Sequence, residues 1–210
     1  MKTPTIWKKL IINQQKIITT PEIQKLGKQI NKDEWRSIDY LQRHGYIYRI
    51  LRGIFYIRDP EERERDFFKA SVYEMVAMAL KVKGIKNWYF GLETALKFNE
   101  MTHEYFTINY VITDSFRTTK VINILDFKFQ FIKWSKKRFK FGLKKVNGLR
   151  FTDKEKTALD MAYKNYIKNR NKANILSPIK EYILTIDKQK LSDYLKHYPK
   201  TFRKTVGGQL

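Results

Sequence analysis

Five side chains between residues 36 and 52 have the types and spacing to read a nucleic-acid duplex. Arg36, Tyr40 and Arg43 follow one another at intervals of four and three, so on a helix they share one face with Asp33 and Ser37. A guanidinium can bond a guanine edge in two places, while phosphate contacts fix the register. Asn31, Lys32 and Ser37 stand near the start of that helix, where polar side chains and backbone N–H groups suit phosphate oxygens. Trp35, Ile38 and Leu41, at i, i+3 and i+6, form the apolar stripe that would anchor the other side. Arg49 and Arg52 lie beside a glycine turn further on, placed to touch the backbone of the duplex. An ordinary amphipathic helix with a solvated face carries a similar stripe. What favours the reading face is its place after a helix and a glycine, and before a basic hairpin.

The neighbouring elements set that geometry. An opening helix is expected over residues 4–15, with Ile6, Trp7, Leu10 and Ile11 at helical spacing. Thr20 is a good N-cap ahead of Pro21, and Gly27 is a natural stop, so a second helix lies between them. Asn31 with Glu34 three residues on resembles a capping box, and Gly45 closes the third helix. Residues 46–50 and 54–58 then read as a hairpin around Leu51-Arg52-Gly53. Helix, turn, helix and basic hairpin make the plan of a winged helix, which lays a helix in the major groove and a hairpin on the flanking backbone.

Asp59-Pro60 and the charge run that follows predict a solvated boundary, dividing the chain into a DNA-binding domain over 1–60 and an α/β domain over 61–210. A long helix is expected over 62–82, striped by Phe68, Val72, Met75, Val76 and Ala79. Strands are expected over 88–90, 105–113, 121–134, 139–141 and 149–151, with a short helix over 92–99. Thr152 with Glu155 predicts a capped helix to about residue 166, and further helices fall near 178–184 and 188–197. The expected fold class is α+β: an N-terminal winged helix-turn-helix followed by a mixed α/β C-terminal domain.

A second chemistry lies between residues 127 and 152, where no acidic residue occurs. Lys128, Lys133, Lys136, Lys137, Arg138, Lys140, Lys144, Lys145 and Arg150 interleave there with Phe129, Phe131, Trp134, Phe139 and Phe141. Cations track phosphates and aromatics stack on unpaired bases, so the run could be a second nucleic-acid surface or meet an acidic protein. Alternating lysine and aromatic is also what a strand with one buried and one solvated face looks like. Asp114 and Asp126-Phe127-Lys128 match the loose pattern by which some metal-dependent nucleases hold a cation. Asp160 reads as a partner contact or a plain helix surface residue.

The totals narrow the choice. Forty-three Lys and Arg against 21 Asp and Glu give 210 residues a formal charge of +22, which bears on partners and not on fold. Lysines outnumber arginines 31 to 12, so part of that charge is a solvated coat. There is no cysteine, and the three histidines lack ligand spacing, which excludes disulfides and thiolate metal sites. No P-loop, His-Glu-x-x-His or nucleotidyltransferase signature occurs. No signal peptide and no membrane span is expected. These readings predict a cytoplasmic protein without catalysis, cofactor or metal.

The order of these segments resembles a family. Gly45-Tyr46-Ile47-Tyr48-Arg49 and Arg52-Gly53-Ile54-Phe55-Tyr56 look like the winged helix of AbiEi-type antitoxins. Residues 89–96 (YFGLETAL) and 151–160 (FTDKEKTALD) are similar to the family's strand–helix segment and its Glu-Lys-Thr helix. The resemblance implies a transcriptional autorepressor that binds repeats in its own promoter. It also implies an antitoxin whose C-terminal domain counters a nucleotidyltransferase-like toxin. A metal-dependent nuclease and an RNA-binding accessory protein are the alternatives.

Overall fold

Side chains that bond back to their own backbone set most helix starts in this chain. The structure, a computed structural model, describes residues 3–29, 34–168, 175–182 and 185–207. Helix α1 (Thr3–Ile12) turns Ile6, Trp7 and Leu10 inward, and the Trp7 indole N–H reaches the Arg58 carbonyl at 2.7 Å. Strand β1 (Ile17–Thr19) follows, too short for its alternation to register in the sequence. Helix α2 (Thr20–Lys28) is capped by Thr19, not Thr20, because the Glu22 carboxylate accepts the Thr19 N–H at 2.7 Å. It runs through Gly27 to Lys28 instead of stopping at the glycine. Helix α3 (Glu34–Arg43) leads into β2 (Ile47–Leu51) and β3 (Ile54–Ile57). The three strands form an antiparallel sheet in the order β1-β3-β2. Trp7, Ile18, Ile23, Ile38, Leu41 and Phe55 belong to one apolar core of this unit.

The helix expected over 62–82 is two helices. Asp59 caps α4 (Pro60–Glu64) and Ser71 caps α5 (Val72–Val82). The chain bends between them around Glu62, which is fully buried. Its carboxylate accepts the Tyr56 hydroxyl at 2.6 Å, the Asp59 N–H at 2.8 Å and the Lys69 N–H at 2.7 Å. The charge run is therefore in part an internal tie, not a solvated boundary. Helix α5 buries Val72, Met75, Val76, Ala79 and Leu80 and packs on all three strands of the small sheet. Accordingly the first compact unit ends at Gly84 and not near residue 60, and the second is Ile85–Leu210.

The second unit is mixed α/β. Its strands are β4 (Trp88–Gly91), β5 (Ile108–Thr113), β6 (Ile122–Ile124), β7 (Phe127–Lys133), β8 (Leu143–Val146) and β9 (Leu149–Thr152). They form one sheet in the order β6-β7-β5-β4-β9-β8, parallel at β5–β7 and β4–β9 and antiparallel elsewhere. Helix α6 (Glu93–Phe98) follows β4, and α7 (Lys154–Lys168), α8 (Lys188–Leu195) and α9 (Lys200–Val206) come after the sheet. Tyr89, Tyr110 and Ile112 share a core with Ala158, Leu159, Leu191 and Phe202, placing these helices against one sheet face. Phe90, Val111, Phe129 and Phe131 are buried on the alternate positions.

Four expectations change here. The strand expected over 121–134 is the hairpin β6–β7, turning at Leu125-Asp126. Residues 136–139 form a 3₁₀ turn, and the strand beyond it is β8. Asp153, not Thr152, caps α7, accepting the Lys156 N–H at 3.0 Å. Near 178–184 the described residues hold only a 3₁₀ turn, Ser177–Ile179. Among the described residues no helix is long and apolar enough to cross a membrane.

Candidate nucleic-acid interface

Helix α3 has a clear inside and outside. Ser37, Ile38 and Leu41 are buried, whereas Arg36, Asp39 and Arg43 are exposed and Tyr40 is half-buried. The inward stripe therefore runs i, i+1, i+4 from Ser37, and this serine, at 2% exposure, is not available to a phosphate. Tyr40 lies at the side of the helix, its ring stacked on His44 at 4.0 Å. Arg43 Nε bonds Asp39 at 2.9 Å. An exposed i,i+4 pair contributes only about 0.3–0.5 kcal/mol, so a phosphate or guanine can displace the aspartate. Asn31, Lys32 and the Trp35 side chain lie outside the described residues. The end of α3 is held by a residue the sequence reading passed over. Arg63 donates to the His44 carbonyl at 3.2 Å and lies 3.7 Å from the Tyr46 ring centre.

The β2–β3 hairpin carries Arg49 and Arg52, both exposed. Arg49 lies over the Phe55 ring at 5.7 Å. Arg52 is in the two-residue turn, which is tied to the start of α2 by a 2.9 Å bond from Thr20 N–H to the Gly53 carbonyl. That bond fixes the turn against α2 and leaves its arginine outward.

The basic run of the second unit splits. Lys128, Lys133, Lys136, Lys137, Lys140, Lys144 and Lys145 are exposed, but Arg138 is buried. Its guanidinium lies 3.6 Å from the Tyr163 ring centre, 4.4 Å from that of Tyr198, and 3.8 Å from the Asp160 carboxylate. Phe129 and Phe131 are core residues, and Trp134, Phe139 and Phe141 pack against the core, so these rings do not form a stacking platform for bases. The alternation reports a half-buried strand.

The carboxylates of the nuclease pattern do not meet. Ile108 pairs with Lys128 and Thr113 with Lys133 in the parallel pair β5–β7. Asp114 thus follows one end of the pair and Asp126 precedes the other, roughly 25 Å apart at about 3.3 Å per residue. Asn87 donates to Asp114 at 2.8 Å and holds its carboxyl below the usual range. Among the described residues no group of three His, Asp or Glu could hold a metal ion.

What the sequence reading missed most is a buried polar network. Asp160, expected at a helix surface, is fully enclosed. It accepts the Tyr89 hydroxyl at 2.9 Å and the Tyr198 hydroxyl at 2.5 Å, and Lys156, equally buried, stands 3.2 Å away. Burial pulls the Lys156 ammonium below its ordinary pKa, while burial and then Asp160 push both tyrosines well up. Gly142, at φ 60°, passes so close that a Cβ there would lie 2.7 Å from Lys156 Cβ. Nearby, Asp153 accepts the Tyr194 hydroxyl at 2.9 Å, and burial plus that bond push Tyr194 up to about 12. The spacing of Lys156 and Asp160, i and i+4, was visible in the sequence; nothing there distinguished a buried pair from a surface one.

No protein-family model and no curated protein matches this sequence. A crystal structure of the RV2827C protein from Mycobacterium tuberculosis is similar in fold, with a TM-score of 0.59 over 95% of this chain and 73% of that one. The two are 11% identical, so the likeness is one of fold alone.

Proposed function

We propose that the first unit is a winged helix-turn-helix that binds duplex DNA, and that the chain is an autorepressor that also acts as an antitoxin. One observation carries the DNA-binding reading. Arg36 and Arg43 face solvent on a helix anchored by Ile38 and Leu41, while Arg49 and Arg52 face solvent on the hairpin that follows. The element order supports it: helix, strand, two helices and a hairpin, with the first strand paired to the last. In this reading α3 enters the major groove with Arg36 and Arg43 at base edges, and Arg49 and Arg52 hold phosphates.

The antitoxin half rests on the AbiEi resemblance of residues 89–96 and 151–160. These two segments bond to each other through Tyr89 and Asp160, inside the core. Their part is to build the second unit, and its exposed residues supply the surface for a nucleotidyltransferase-like toxin.

The test is a mobility shift of the full chain on its own promoter and on random duplex. Arg36→Ala should weaken cognate binding by about 1–3 kcal/mol and relax preference at one base pair. Equal losses on both duplexes would exclude base readout by Arg36. Co-expression with a neighbouring nucleotidyltransferase-like reading frame tests the other half. Failure to restore growth there would remove the antitoxin role and leave the repressor reading intact.

A further inference from the structure

An open sheet edge presents unpaired backbone groups, which proteins usually cover or shorten. β8 is such an edge, and all four of its residues are exposed, Leu143 at 37% and Val146 at 51%. Asn147 and Gly148, with φ of 49° and 80°, join β8 to β9 as a two-residue turn. Val146 pairs with Leu149 across it, so Val146–Leu149 and Lys144–Phe151 are the hydrogen-bonded pairs. The Asp153 N–H, bonded to the Gly142 carbonyl at 3.0 Å, continues that series. The backbone N–H and C=O of Leu143 and Lys145 therefore point to the open side.

The charge at this edge has one sign. Lys145 stands directly across from Arg150, a like-charge pair that destabilises the hairpin. Neither Lys144 nor Lys145 forms an ion pair with a described residue. Lys144 donates instead to Asn99 Oδ1 at 3.1 Å, and Arg150 to the Lys86 carbonyl at 2.9 Å.

We propose that β8 is a docking edge for an acidic, extended segment of a partner protein, which joins the sheet as a seventh strand. The side chains of β8 run apolar, basic, basic, apolar, the same in both directions. The complement is apolar, acidic, acidic, apolar, whether the added strand is parallel or antiparallel. No segment of this sequence has that pattern, and the uniform positive charge of the edge selects an acidic partner protein as the occupant. A second copy is opposed by charge, since β8 against β8 sets two lysines of each copy face to face. Duplex DNA would engage the lysines but leave the outward amides, Leu143 and Val146 unmatched. The inference does not depend on DNA binding by the first unit.

The experiment is an anisotropy titration of the full chain into a labelled Thr-Val-Glu-Glu-Val-Thr peptide at low salt. Saturable binding is expected, weakened about tenfold or more by the double variant Lys144→Glu/Lys145→Glu. Methylating the two central amide nitrogens keeps the peptide's charge but blocks strand pairing, and should weaken binding of the unaltered protein as much. No saturable binding overturns the proposal, as does unchanged binding by the charge-reversed variant. Equal binding of the methylated peptide reduces the edge to a charged patch and also overturns it. So does a duplex DNA that displaces the peptide and itself depends on Lys144 and Lys145.

Discussion

Asp160 shows what one buried residue can decide. A carboxylate enclosed with Lys156 and Arg138 is satisfied by two tyrosine hydroxyls and a nearby ammonium, and removing it strands two buried cations. Breaking a buried pair from one side typically costs about 3–5 kcal/mol, whereas replacing both partners with apolar groups costs far less. Asp160→Ala should therefore lower the stability of the second unit by about that amount, and Asp160→Leu with Lys156→Met should recover part of the loss in urea unfolding, since Arg138 stays buried without its carboxylate. Equal losses in the single and double variants would mean that the pair does not hold the core in this way. Two other residues changed sides. Ser37 and Arg138 read as contacts for phosphate, and both are buried, because a polar side chain's direction depends on what packs over it.

At the scale of elements, α3 and the β2–β3 hairpin divide the labour proposed for the first unit. Arg52 sits in a turn fixed to α2, so its contact should be to phosphate and blind to sequence. Arg52→Ala is expected to weaken cognate and random duplexes alike and to lower the slope of log affinity against log salt by about 1. A loss confined to the cognate duplex would place Arg52 at a base instead. Much of this arrangement was legible. The Ile38–Leu41 stripe, the glycine at 45 and the two aromatic runs specify helix, stop and hairpin. β1 was not, since three residues hold too little pattern. The single helix expected over 62–82 failed at Glu62, whose partners Tyr56 and Lys69 lie outside the local pattern.

Across the whole molecule, charge and domain division have different origins. Lys and Arg outnumber Asp and Glu 26 to 11 in residues 85–210, so the excess charge lies mainly beyond the proposed DNA-binding unit. The first unit needs α5 to cover its small sheet. A fragment of residues 1–84 should melt cooperatively by circular dichroism, while one of residues 1–60, lacking α5 and the Lys69 bond to Glu62, should not. Two equally cooperative melts would return the boundary to Asp59-Pro60. By itself the sequence determined the class of fold, the anchored helix with its outward arginines, the basic hairpin and the acid-free run, because each is written in local spacing and composition. Only the tertiary structure decided the end of the first unit, the separation of Asp114 from Asp126, the enclosure of Asp160 and Arg138, and the open edge at β8. Those depend on strand order and on packing between segments far apart in the chain, which no local period encodes.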